Sequence, residues 1–307
     1  MNILLTAIGK RVQLVKELKK SCEVFGTDCS NLAPAKGFVD KFFIVSKYDN
    51  PNYIEQLLGI CKREKIHMLI PLFEKEYELL CENREKFKNI GTVLLLSSKE
   101  VIISCNDKWK TYNFFSSKDI LTPFTFKKGD NINNLDFPLI IKPKMGMGSS
   151  NVFKINNLKQ FEFFVDYVEE PIIQKYIEGT EYTVDVLADL NGNILSIVPR
   201  ERLEVRAGEV TKSRTVKDTL IIEKTFELCS KLKGIGPITV QCIKDCNGNI
   251  FFIEVNPRFG GGVPLTFQAG IDYGELFIKM LKGEKIETQI GNYKEVTMLR
   301  YDEAVYD

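Results

Sequence analysis

The sequence predicts an α/β domain with an open parallel sheet, followed by an α+β region of antiparallel hairpins. Two patterns carry this. Through residues 1–100, short apolar runs alternate with amphipathic stretches in a βαβαβ order, which produces a parallel sheet. From Pro138 onward, strand-like segments are joined by Asn-Gly turns and small-residue loops.

The first strand is expected at residues 2–8, followed by a loop at Gly9. A helix over 11–20 follows, with Val12, Val15 and Leu18 as its apolar stripe. Strands at 23–27, 42–45 and 67–71 alternate with helices at 52–65 and 75–87. Asp107-Lys108 opens a further helix. In the second region, strands at 138–142 and 151–155 flank a loop at 143–150, and a helix covers 158–167. Residues 171–176 are extended. Residues 181–189 alternate strictly, with Tyr182, Val184 and Val186 on one face and Glu181, Thr183 and Asp185 on the other. Asn191-Gly192 turns this strand into 194–198. Helices at 220–233 and 273–281 bracket a last hairpin.

The 307 residues, 44% hydrophobic, suffice for two or three domains. A net charge of +1, with both signs interspersed, gives no basis for a nucleic-acid or anionic-membrane partner. No apolar run is long enough for a signal peptide or membrane span, so a soluble, cytoplasmic protein is expected. Its eight cysteines form no CxxC pair and are read as reduced packing thiols. The single histidine, His67, sits at a strand entrance where a structural role is favoured, which takes Ser-His-Asp triads, His metal cages and phosphohistidine chemistry out of serious contention. Chemistry must run on metal, Lys, Arg and carboxylates.

Glu254-Val255-Asn256-Pro257-Arg258 is the most informative segment. Asn247-Gly248 is a strong two-residue hairpin signal, because both central positions of a type I′ turn need positive φ. With those two in the turn, Cys246 pairs with Asn249 and Gln241 falls opposite Glu254. Alternation puts Asn256 on the face of Glu254, while Val240, Ile253 and Val255 point to a core. One carboxylate and two amide oxygens then converge, a hard-oxygen set suited to Mg²⁺ and nucleotide phosphates, with Mn²⁺ as the alternative ion. Arg258 adds a fixed cation.

Lys142 ends an apolar strand before Gly146, Gly148, Ser149 and Ser150, a combination that can hold phosphate oxygens. It is not a Walker A loop, since the lysine precedes the glycines. Lys108 is a second phosphate cation. Gln174, Lys175, Tyr176 and Ile177 can line a purine pocket and offer backbone groups to its edge, and Glu181 can accept from ribose hydroxyls. The stretch from Arg200 to Arg214 is either a solvated loop or a clamp for an anionic substrate, with Arg206 the catalytic candidate. Arg11 and Glu74 are weaker substrate candidates at the carboxyl edge of the first sheet. Asp28 stands where a dinucleotide ribose acceptor would, but only Gly9 occupies the first turn, so NAD is disfavoured.

In this order the elements resemble the ATP-grasp superfamily, most closely the synthetase domain of the carbamoyl-phosphate synthase large chain. The resemblance implies a pre-ATP-grasp Rossmann-like domain (1–100), a nucleotide-lid subdomain (101–180) and a C-terminal subdomain with metal and catalytic residues (181–307). ATP would lie between two antiparallel sheets. Lys108 and Lys142 would contact phosphates, Gln174 to Ile177 the adenine and Glu181 the ribose. Gln241, Glu254 and Asn256 would hold Mg²⁺, and Arg258 would steady the phosphoryl group. Lysines stand where the synthase domain carries arginines, and there is one such domain with no amidotransferase. The resemblance therefore implies a free-standing ADP-forming ligase that joins a small carboxylate to an amine or other nucleophile, compatible with a homodimer. The alternative is a catalytically silent ATP- or metabolite-binding regulator on the same fold.

Overall fold

The computed structural model describes residues 1–130, 135–146, 148, 150–206 and 208–306. The first sheet is parallel and comprises β1 (Asn2–Thr6), β2 (Glu23–Asp28), β3 (Lys41–Ile44), β4 (Met68–Pro71) and β5 (Val93–Leu94), in the order β3-β2-β1-β4-β5. Its crossovers use α1 (Val12–Leu18), α2 (Tyr53–Arg63), α3 (Tyr77–Glu82) and α4 (Arg84–Asn89). The single helix expected over 75–87 is broken into a 3₁₀ turn, α3 and α4. The middle of β1 (Ile3, Leu4 and Leu5) is wholly apolar because both faces of the strand are covered. Leu4 packs with Leu57, Tyr77 and Leu80 on one side. Ile3 and Leu5 share a core with Leu14, Phe259, Tyr273 and Phe277 on the other.

After the first sheet come α5 (Lys99–Asn106) and α6 (Lys108–Ser117), separated by Asp107, whose carboxylate accepts from the N–H groups of Trp109 and Lys110. A four-stranded antiparallel sheet follows, from β6 (Thr125–Lys127), β7 (Leu139–Pro143), β8 (Phe153–Ile155) and β9 (Pro171–Lys175), ordered β6-β9-β7-β8. Helix α7 (Leu158–Tyr167) lies where its periodicity places it, with Val165 sealed against Ile141, Ile155 and Ile173.

The largest sheet is antiparallel, with order β14-β13-β10-β11-β12-β15. Its strands are β10 (Thr180–Ala188), β11 (Ile194–Arg206), β12 (Glu209–Thr215), β13 (Gly236–Lys244), β14 (Ile250–Asn256) and β15 (Thr297–Leu299), and α8 (Thr219–Leu232) joins β12 to β13. Val184, Val186, Val240 and Val255 face α8, α5 and α6 through Ile221, Leu228, Cys105 and Phe115. The opposite face is polar around Thr183, Gln241 and Glu254, while its Leu187, Leu195 and Val198 join the core shared with Ile3 and Leu5. The stretch from Arg200 onward is therefore no loop: it is the far half of β11, paired with β12 from Arg200↔Thr215 to Arg206↔Glu209. The last helices, α9 (Pro264–Gln268) and α10 (Tyr273–Lys282), return to α1 and the first sheet. Among the described residues no helix is long and apolar enough to cross a membrane.

The β13–β14 hairpin corrects one expectation in an instructive way. Its loop has three residues: Asp245 N–H donates to Asn249 C=O (3.0 Å), and Gly248 N–H donates to Asp245 C=O (3.1 Å) with Gly248 at φ +84°. This is a type I turn closed by a left-handed glycine, which shifts the register by one residue from a two-residue turn. A bulge between Gln241 and Cys242 then shifts it back, so Gln241 does pair with Glu254. The extra residue is Ile253, which lines the polar face rather than the core. The same Asp-x-Asn-Gly-Asn turn closes β10 and β11 at 189–193, where Asp189 Oδ1 accepts from Asn191 and Asn193 N–H (both 2.8 Å).

Candidate active site

A cleft of about 490 Å³ opens among the three sheets. One wall is the inner face of the four-stranded sheet (Ile140, Lys142, Gln174). The second is the polar face of the six-stranded sheet (Thr183, Gln241, Glu254). Loops after β1 and β4 add Arg11, Leu72 and Phe73. Lys108, Lys142, Gly148, Ser150, Gln174, Lys175, Tyr176, Ile177, Glu181, Gln241, Glu254, Asn256 and Arg258 all line it. Ser149 lies outside the described residues.

Arg206 is the exception. It is exposed at the tip of the β11–β12 hairpin and does not line the cleft. Register shifts follow Arg202 and Glu204 and break the two-residue alternation, so Arg206 stays outside the cleft although its cross-strand partner Glu209 lines it. The arginines of β11 that face inward are Arg200 and Arg202. Arg200 is 1% exposed and held bidentately by Asp185, from Nε to Oδ2 (2.7 Å) and from Nη2 to Oδ1 (3.0 Å). Thr266 Oγ1 also donates to Asp185 Oδ2 (2.6 Å). Arg202 Nη1 donates to Thr183 Oγ1 (3.2 Å), and its Nε lies 3.2 Å from Glu181 Oε2, out of line for a hydrogen bond. The sequence carried a signal for both: they continue the period-two face of Thr183 and Asp185 across the pair Thr183↔Arg200.

Two cations lie toward the four-stranded sheet. Lys142 Nζ donates to Gln174 Oε1 (2.9 Å), and Gln174 Nε2 donates to Thr125 Oγ1 (2.9 Å), so the lysine is fixed by a buried chain. Burial pushes its ammonium down to about 8, with Glu254 opposing the fall and Lys108 adding to it. Lys108 stands at the first turn of α6, and its Nζ donates to Gly146 C=O (2.9 Å) in the glycine loop. Residues 176–179 carry the chain from one sheet to the other. A Cβ on Gly179 would sit 2.3 Å from Lys244 C=O, so only glycine permits this close crossing.

Glu254, Gln241 and Asn256 share the polar face, and Asn256 Nδ2 donates to Glu254 Oε1 (2.6 Å). The Asn256 amide oxygen is thereby left for another partner. One carboxylate with two amide oxygens and nearby cations for phosphate suits a hard ion that keeps water and phosphate ligands, as Mg²⁺ does. No cluster of three His, Cys, Asp or Glu among the described residues competes for a softer ion. Arg258 reaches back to the first domain, where its Nε donates to Glu74 Oε1 (2.5 Å) and its Nη1 to Phe259 C=O (3.0 Å). Burial works to lower the Arg258 pKa, but Glu74 and its other neighbours outweigh it and the net shift is upward. Glu74 is thus an anchor for Arg258. Asp28 is likewise engaged in its own loop, accepting from Gly9 N–H (2.9 Å) and Ser30 N–H (3.0 Å).

Residues 105–262 match the ATP-grasp domain family, and residues 3–95 match the PylC-like N-terminal domain. The chain belongs to the ATP-grasp family. A carbamoyl phosphate synthase large chain of Caldanaerobacter subterraneus subsp. tengcongensis is 27% identical over 264 residues, covering 78% of this chain and 24% of the relative. The chain thus spans about a quarter of that relative's length. Two solved structures share the ATP-grasp architecture. N5-carboxyaminoimidazole synthetase from Staphylococcus aureus, complexed with ADP, superposes with a TM-score of 0.74 at 20% identity, covering 94% of this chain and 78% of that one. The L-amino acid ligase of Bacillus licheniformis gives 0.68 at 20% identity, covering 92% and 74%. The two antiparallel sheets and the preceding parallel sheet are thus the architecture the sequence led us to expect.

Proposed function

We propose that the protein is an ATP- and Mg²⁺-dependent ligase that activates a small carboxylate as an acyl phosphate and couples it to an amine, releasing ADP and phosphate. The observation that carries this reading is the convergence, in one cleft, of two phosphate-type cations (Lys108, Lys142) with the oxygen donors Gln241, Glu254 and Asn256 and the anchored Arg258. Membership of the ATP-grasp family supports it, and the full donor set disfavours a silent regulator.

Phosphoryl transfer asks mainly for alignment and charge neutralisation. In this reading Lys108 and Lys142 hold nucleotide phosphates, while Gln174 to Ile177 and Glu181 seat the nucleoside where the chain crosses between sheets. Gln241, Glu254 and Asn256 would hold Mg²⁺, which when bound neutralises phosphate charge. Arg258, fixed by Glu74, orients the attacking carboxylate. A carboxylate oxygen bonds to the γ-phosphorus as the bond from that phosphorus to ADP breaks. The amine nitrogen then bonds to the acyl carbon, and phosphate departs carrying the amine proton. Walls on three sides limit access of water to the acyl phosphate.

The depressed Lys142 gives a pH signature. Phosphate oxygens favour its charged form, so above about pH 8 binding must take up a proton. MgADP affinity is therefore level below about pH 7 and weakens as pH rises through 8, by about tenfold per pH unit at most. In Lys142→Arg, whose charge does not titrate in this range, the slope disappears. Calorimetric titrations across this range check it, and an equal slope in both proteins would remove Lys142 from the phosphate site.

A further inference from the structure

Arg200 has one nitrogen that the fold does not explain. Asp185 occupies Nε and Nη2, but Nη1 is buried without a hydrogen-bond partner among the described residues. An unpaired buried donor is costly and calls for an absent partner. This nitrogen lies against the Gly260-Gly261-Gly262 loop, where a Cβ on Gly262 would come within 2.3 Å of it. Gly262 is at ordinary φ, so space, not backbone conformation, demands the glycine. On the same loop, a Cβ on Gly261 would be 3.8 Å from Arg11 Nη1. The Arg11 side chain, from the first domain, has no hydrogen bond or ion pair among the described residues. Glu209, an acid on the same cleft, is engaged by Lys10 (2.9 Å) and Arg300 (3.3 Å).

These two guanidinium groups stand apart from the phosphate cations. Lys142 bonds to Gln174 on the four-stranded sheet and Lys108 to Gly146 in its glycine loop, whereas Arg11 and Arg200 lie against Gly261 and Gly262 after β14.

We propose that Arg11 and Arg200 Nη1, across the Gly261-Gly262 loop, form a second carboxylate subsite, for a carboxylate other than the one phosphorylated. This rests on the ligase reading above. Two forked guanidinium groups converging over glycine suit a planar anion. That carboxylate comes either from a dicarboxylic acid or from an amino acid serving as the amine.

The test is calorimetric titration of the full chain, with MgADP present, using paired probes that differ by one carboxylate. Glutarate against butyrate tests the dicarboxylic arm; alanine against ethylamine tests the amino acid arm. In one arm the wild-type protein should prefer the carboxylate-bearing probe by about tenfold or more. Arg11→Gln should remove that preference while binding MgADP normally, and Gly262→Ala, which displaces Arg200, should weaken it too. Equal binding within both pairs, or a preference that survives Arg11→Gln, overturns the subsite. Failure of the ligase reading shows separately, as absence of acid-dependent ADP release, and leaves these titrations readable.

Discussion

Glu254→Gln should lower Mg·ATP turnover by about 10³-fold, the loss typical of removing one preorganised charge-stabilising group. The fold should survive, because Asn256 Nδ2 still finds an acceptor in the amide oxygen at 254 and Glu254 sits on the solvent-facing side of β14. A steady-state assay at saturating Mg²⁺ measures the loss, and an unchanged melting temperature separates it from misfolding. Near-normal turnover would show that the carboxylate is not a required metal ligand.

Asp185→Ala carries the largest expected cost in stability. Asp185 and Arg200 are both nearly inaccessible (2% and 1% exposed) and joined by two hydrogen bonds. Removing the carboxylate strands a buried guanidinium and orphans Thr266 Oγ1, which should cost about 3–5 kcal/mol. Removing both partners, as Asp185→Leu with Arg200→Leu, should recover much of that loss, because no charge is then left unpaired. Denaturant midpoints of the variants decide this. A double variant no more stable than Asp185→Ala would contradict it.

Much of this was legible in the letters, and the gaps have physical causes. The parallel sheet, α7 and the paired faces of β10 followed from periodicity, because packing on one or both sides imposes it directly. The inward face of β11 follows only once the pair Thr183↔Arg200 carries the period-two face of β10 across the hairpin. There the buried partners are charges, Arg200 on Asp185, so a strand in a polar cleft reads as a solvated loop. Arg206 stands out in sequence by the same cation density, and no local pattern encodes the bulges after Arg202 that turn it away. In the Gln241–Glu254 pair the three-residue turn and the bulge at Ile253 cancel, so a two-residue turn reached the right partner by the wrong route. The Glu74–Arg258 and Arg11–Gly261 proximities join residues far apart in sequence, and no local pattern encodes them.

The central claim is acid activation by phosphoryl transfer from ATP. The most direct measurement is nucleotide product analysis with Mg·ATP, carboxylic acids and amines, each acid tested with and without the amine mixture. Release of ADP and phosphate that depends on an acid–amine pair is the predicted result. Release of AMP and pyrophosphate, or ATP cleavage indifferent to every acid, would contradict it.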